Sequence, residues 1–146
     1  MRDDPDFDVQ EFLPYLLNQA AEASSLEFQK VYKDRYGMLR NEWRVLFHLG
    51  IYGRMTASEI GVRASMHKTK ISRAVQRLAE RRYLVRQRDG ADRRVEQLDL
   101  TPTGRKVYAD LRGIAREYDA ALVEGMSGAD VAGLKARLKQ LAARRG

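Results

Sequence analysis

Residues Thr56 to Thr101 read TASEIGVRASMHKTKISRAVQRLAERRYLVRQRDGADRRVEQLDLT, and the first half spells two short helices around a tight turn. Thr56-Ala-Ser-Glu59 has the spacing of a capping box, in which the threonine hydroxyl takes one free N–H of the first turn and the glutamate carboxylate another. A short helix with Ala57, Ile60 and Gly61 follows, and Ala64 to Met66 breaks it. A second helix begins near His67. Ile71, Ala74, Val75 and Leu78 recur there at the three-and-four spacing of a buried stripe. Lys68, Thr69, Lys70, Arg73, Gln76 and Arg77 occupy its other face. A helix apolar behind and basic in front, set after a shorter one, suits a helix-turn-helix entering the major groove of double-stranded DNA.

The second half adds a hairpin. Leu84 to Arg88 and Val95 to Leu100 alternate as strands do, with Leu98 and Leu100 on one face, and Asp89-Gly90-Ala91-Asp92 between them carries an Asp-Gly turn signal. Thr101-Pro102 then opens a helix, Thr as N-cap and Pro at the first helical position. Helix-turn-helix plus basic hairpin is a winged helix. With Asp92-Arg93-Arg94 followed by Leu98-Asp-Leu-Thr-Pro-Thr-Gly104, the chain resembles the MarR/SlyA family of winged helix-turn-helix transcriptional regulators. The wing of that family carries Asp-x-Arg seven residues before the Thr of a Leu-Thr-x-x-Gly run, and Asp92 and Arg94 occupy those positions. Relatives have Gly before the first wing strand, where Tyr83 stands here, and Thr or Ser where Leu39 precedes the helix of Glu42-Trp43-Arg44-Val45-Leu46.

Composition agrees with a polyanion partner. The chain of 146 residues has a net charge of +7, and the excess is concentrated: residues 54–106 hold 14 basic against 6 acidic side chains, whereas residues 1–53 hold 6 against 9. A local basic excess favours nucleic acid. The absence of cysteine excludes disulfides, thiolate zinc sites and thiol nucleophiles, and suits a cytoplasmic protein. The start, Met1-Arg-Asp-Asp-Pro-Asp-Phe-Asp, lacks the order of a signal peptide, and no apolar run reaches the ~20 residues of a membrane span. A soluble protein without a membrane partner is expected.

The flanks are helical. Phe12, Leu13, Leu16, Leu17, Ala20, Phe28, Val31 and Tyr32 form a stripe in a helix starting near Leu13 and stopped by Gly37; another helix runs from about Asn41 to Leu49, ending at Gly50 and Gly53. Pro102 to about Glu124 and a final helix with Val131, Leu134, Leu138 and Leu141, opened by Ser127, complete the chain. A winged helix of ~50 residues is too small to cover all these apolar faces, so they bury against one another, either in an intrachain three-helix bundle or together with a second copy. The expected fold is mainly α with a small β-hairpin wing: residues 1–146 form one MarR-type domain, with 38–101 as the DNA-binding part and 9–36 and 102–146 as dimerisation helices. The resemblance implies a homodimer on a palindromic operator.

Candidate DNA contacts are His67, Lys68, Thr69, Lys70, Arg73 and Arg77 on the second helix and Asp92, Arg93 and Arg94 on the wing. Arg73 and Arg77, four apart, share a face, and a guanidinium fork matches guanine O6 and N7. His67 stands where the family has an N-cap. Arg94 suits a narrow A·T-rich minor groove, with Asp92 holding it. The resemblance also implies a small aromatic or anionic effector that releases DNA, and Tyr32, Arg35, Tyr36, Trp43, Phe47, His48 and Tyr108 are the residues for it, aromatic walls with polar tips. No catalytic constellation stands out, so no enzyme, cofactor or metal is expected: His48 and His67 lie on different helices, and no P-loop or Gly-x-Ser-x-Gly occurs. The alternative reading is a winged helix that binds protein without sequence-specific DNA binding.

Overall fold

The computed structural model describes residues 4–88, 90–92 and 94–144. Helix α1 spans Leu13–Tyr36, with Pro14 in its first turn, where a missing N–H leaves no bond unmade. Gly37 ends it in the left-handed conformation, φ +64°, its N–H donating to the Lys33 carbonyl at 2.8 Å. Helix α2, Arg40–Tyr52, is longer than its spacing suggested. Gly50 does not stop it: a Cβ there would lie 2.4 Å from the Tyr108 ring, so the bare backbone admits that ring, and of the two glycines expected at its end Gly53 (φ +79°) is the one that caps it. With Leu39 at the N-cap, the Leu39 N–H donates to Glu42 Oε2 at 3.4 Å.

Helix α3 is Ala57–Ala64 and helix α4 is Lys68–Glu80, with Ser65 (φ 52°) turning the chain between them. Thr56 Oγ1 accepts the Glu59 N–H at 3.1 Å. The Glu59 carboxylate takes the Thr56 hydroxyl at 3.2 Å, not the backbone N–H expected of a full box. All four residues of the α4 stripe are at most 3 % exposed, and they meet Val45, Leu46, Leu49, Ile60 and Leu98 in a core that is essentially closed to water.

Strands β1 (Met55–Thr56), β2 (Leu84–Arg88) and β3 (Glu96–Leu100) form an antiparallel sheet in the order β1-β3-β2. Leu84 faces Leu100, Arg88 faces Glu96 and Met55 faces Leu98. The third strand was not expected, because two residues show no alternation. Val95 stands just outside β3, and the expected turn at Asp89 falls partly outside the described residues. The left-handed residue after α4 is Arg82 (φ +63°), not Tyr83, so the ~1 kcal/mol strain falls on an exposed arginine.

Helix α5 spans Pro102–Leu122. Thr101 Oγ1 accepts the Gly104 N–H at 2.9 Å and donates to the Arg82 carbonyl at 2.7 Å, which fixes the helix start to the end of α4. The chain divides into two compact units, Met1–Gly113 and Ile114–Gly146. The first contains the winged helix, and in it Phe12, Leu13 and Leu16 remain exposed. The second contains helix α6, Gly128–Ala143, capped by Ser127, with no buried residue. No described helix is long and apolar enough to cross a membrane.

Candidate nucleic-acid interface

Burying Ile71, Ala74, Val75 and Leu78 fixes which side of α4 meets solvent. Lys68, Thr69, Lys70, Arg73 and Arg77 all lie exposed on it, joined by Ser72 and Gln76. Ser72, which is absent from the sequence-based set, borders with Arg73, Gln76, Arg77 and Glu80 a surface groove of ≈ 390 Å³. Lys68, Lys70 and Arg73 have no ion-pair partner among the described residues, so their charge is available to a polyanion. His67 is the N-cap of α4: its Nδ1 accepts the Thr69 N–H at 3.3 Å.

The helix is pinned at several points. Arg81 at its C-terminal end donates to the carbonyls of Tyr36 and, at 2.8 Å, Gly37. This guanidinium satisfies acceptors left over at the end of α1. Arg44 of α2 donates to the Ala64 carbonyl at the end of α3. Glu42, buried at the start of α2, lies 3.9 Å from Arg77. Neither Arg81 nor Glu42 was legible as part of the site, since charged residues on amphipathic helices read as solvated.

On the wing, Asp92 Oδ1 accepts the Arg94 backbone N–H at 3.0 Å and its Nε–H at 3.2 Å. The Arg94 side chain is still 92 % exposed. Asp92 therefore orders the base of this arginine without covering its head. Arg93 lies outside the described residues. Arg86, paired with Glu96 at 3.1 Å, adds a second exposed cation to the hairpin.

The seven residues assigned to an effector lie on α1, α2 and α5. Tyr32 stacks on Trp43 with centroids 5.8 Å apart, Trp43 meets Phe47 at 4.7 Å, and Phe47 meets Tyr108 at 5.9 Å. Phe28 packs edge-on against both Tyr32 and Trp43. Arg35 is bound to Asp110 at 3.0 Å, and the Tyr36 hydroxyl donates to the same carboxylate at 2.5 Å. Burial, with the hydrogen bond to Asp110, pushes Tyr36 up to about 12, so it stays a donor at physiological pH. His48 Nδ1 is 2.7 Å from the Arg44 carbonyl, which can only accept, so that nitrogen carries the proton.

Residues 36–95 match the model of the MarR family. An uncharacterized HTH-type transcriptional regulator of Bacillus subtilis (strain 168) is 25 % identical over 111 residues, covering 75 % of this chain and 80 % of the relative. A MarR family transcriptional regulator of Silicibacter pomeroyi DSS-3 has a similar structure, with a TM-score of 0.81 at 27 % identity over 94 % of this chain and 97 % of its own. BpsR of Bordetella bronchiseptica, whose DNA binding is regulated by 6-hydroxynicotinic acid, superposes with a TM-score of 0.85 at 21 % identity, over 93 % and 96 % of the two chains.

Proposed function

We propose that the chain is a DNA-binding transcriptional regulator of the MarR family, acting as a homodimeric repressor on a palindromic operator in the cytoplasm. In this reading α4 of each copy enters a major groove, the two grooves one turn or ~34 Å apart. The observation that carries it is the α4 face: Lys68, Lys70 and Arg73, without ion-pair partners among the described residues, on one side, and an almost fully closed apolar stripe on the other. Residues 9–36 and 102–146 supply the dimerisation helices, and the exposed leucines of α6 favour that role. The test is selection of bound sequences from a random DNA pool, followed by titration of the winner at 50 and 200 mM salt. A palindrome is expected, with affinity falling by ~10³ or more if about six phosphates are contacted. No enriched sequence and a flat salt response would favour the protein-binding alternative.

The wing gives a second, local test. Arg94→Ala is expected to cost ~1–3 kcal/mol on sites with narrow A·T-rich flanks and little elsewhere. Footprinting checks it: unchanged protection of the flanking base pairs would count against minor-groove insertion.

Release by a small aromatic carboxylate is part of the same proposal. The aromatic strip from Tyr32 to Tyr108 supplies apolar walls, and Arg35 supplies a cation now occupied by Asp110. A ligand carboxylate would compete with Asp110 for Arg35 and leave the Tyr36 hydroxyl to be shared. The effector of BpsR has this chemistry, an aromatic ring bearing a carboxylate.

A further inference from the structure

Among the described residues Glu42 is the one charged side chain in the buried core, 2 % exposed. Its Oε2 accepts the Leu39 N–H, which places a negative charge at the N-terminus of α2, where the helix dipole stabilises it. Its Oε1 is buried with no hydrogen-bond partner among the described residues, a condition a folded protein tolerates at a cost. The carboxylate opens onto a cavity of ≈ 260 Å³ between the start of α2 and α4, and Lys70, Arg73 and Arg77 border the same cavity. Arg77 Nη1 is 3.9 Å from Oε2, close enough to feel the charge and too far for a hydrogen bond, while the arginine side chain is 54 % exposed. Glu42 is thus covered from solvent and its charge sits beneath the cationic face.

We infer that Glu42 is the positioning residue of the DNA-reading helix, holding one arm of the Arg77 guanidinium inward so that the remaining donors are presented in a fixed pose. This rests on the reading of α4 as the helix that meets base edges. A planar guanidinium has five donors in a rigid fork, so charge attraction across 3.9 Å can draw one arm toward Glu42 while the rest face a base. Ordering the side chain before binding removes an entropy loss that a free arginine would suffer on the operator. The buried negative charge also opposes attachment to any phosphate backbone. Both effects raise the ratio of operator binding to binding of unrelated DNA more than they raise affinity itself.

The test compares operator with scrambled DNA for wild type, Glu42→Gln, Arg77→Ala and the double variant. Glu42→Gln keeps the shape and an oxygen for the Leu39 N–H. It is expected to lower the operator-to-scrambled ratio about three- to tenfold, and to do nothing further once Arg77 is Ala. A lowered melting temperature with an unchanged ratio, or losses that multiply in the double variant, would overturn the inference. In the free protein the Arg77 Nε–H resonance should be sharp in wild type and broadened by exchange in Glu42→Gln; equal mobility in both, with operator binding intact, overturns it without touching the α4 reading. If wild type shows no operator preference, that reading fails and the inference falls with it. Should Glu42→Gln not fold, Arg77→Lys decides: the charge and salt slope stay, and the ratio is expected to drop, because an ammonium cannot serve both sides. An undiminished ratio in Arg77→Lys would equally overturn the proposal.

Discussion

Gly104→Ala is expected to destabilise the protein by ~2–4 kcal/mol, the upper range for forcing atoms into a closed space. A Cβ at this position would lie 1.9 Å from the Tyr83 carbonyl oxygen and 2.9 Å from its carbon, both backbone atoms that cannot rotate away. The start of α5 and the residue before β2 are already tied together, because the Thr101 N–H donates to that same carbonyl at 3.0 Å. Relief therefore requires α5 to move away from the wing. The gain of ~1 kcal/mol from placing Ala in a helix is too small to compensate. The fall in melting temperature should be roughly 5–15 °C at ~2–4 °C per kcal/mol. Gly113→Ala, in the same helix with nothing within 4 Å of its Cβ position, is the control and should be neutral or stabilising. Equal melting temperatures for the two variants would contradict the close approach at Gly104.

That glycine illustrates which parts of the fold a sequence displays. Its place in the Leu-Thr-x-x-Gly run was visible; the carbonyl it makes room for, Tyr83, is twenty-one residues away and was not. Helix α4 was legible because Ile71, Ala74, Val75 and Leu78 repeat at helical spacing and the structure buries all four. Leu98 and Leu100 declared the inner face of β3 in the same way. Gly50 misled because a glycine reads as a stop, whereas here it clears space for the Tyr108 ring of a distant helix. Strand β1 is too short for a pattern. Of the candidate site, the exposed cations of α4 and the Asp92–Arg94 pair were readable locally, since each depends on residues within a few positions. Glu42 under Arg77, Arg81 on the end of α1 and Asp110 on Arg35 are long-range pairings between helices, and no local spacing encodes them.

These pairings also connect the proposed effector region to the reading head. Tyr36 is held on one side by Asp110 of α5 through its hydroxyl and on the other by Arg81, the C-cap of α4, through its carbonyl. A carboxylate drawing Arg35 from Asp110 would alter the support of the α1 end on which Arg81 rests. Such a ligand shifts DNA binding only insofar as it prefers one arrangement of that end over the other.

Replacing Leu134 and Leu138 together by Glu is expected to convert a dimer into monomer and to weaken binding of a two-half-site operator by ~10²–10⁴-fold. In the unit Ile114–Gly146, Leu134, Leu138 and Leu141 recur at helical spacing and are 45 %, 43 % and 38 % exposed. An apolar row on a helix with no buried residue is unstable in water unless something covers it, and in the proposed homodimer a second copy supplies that cover. Two heads held together bind the second half-site as an intramolecular event, so breaking the dimer removes that advantage without altering any contact of α4. Sedimentation at micromolar concentration reads the first effect and titration of single and paired half-sites reads the second. The variant should bind a single half-site as tightly as one head of the wild type does, since Lys70, Arg73 and Arg77 are untouched. A variant that remains dimeric with full affinity would remove α6 from the dimer. A monomer that binds paired half-sites undiminished would show instead that the two heads act independently.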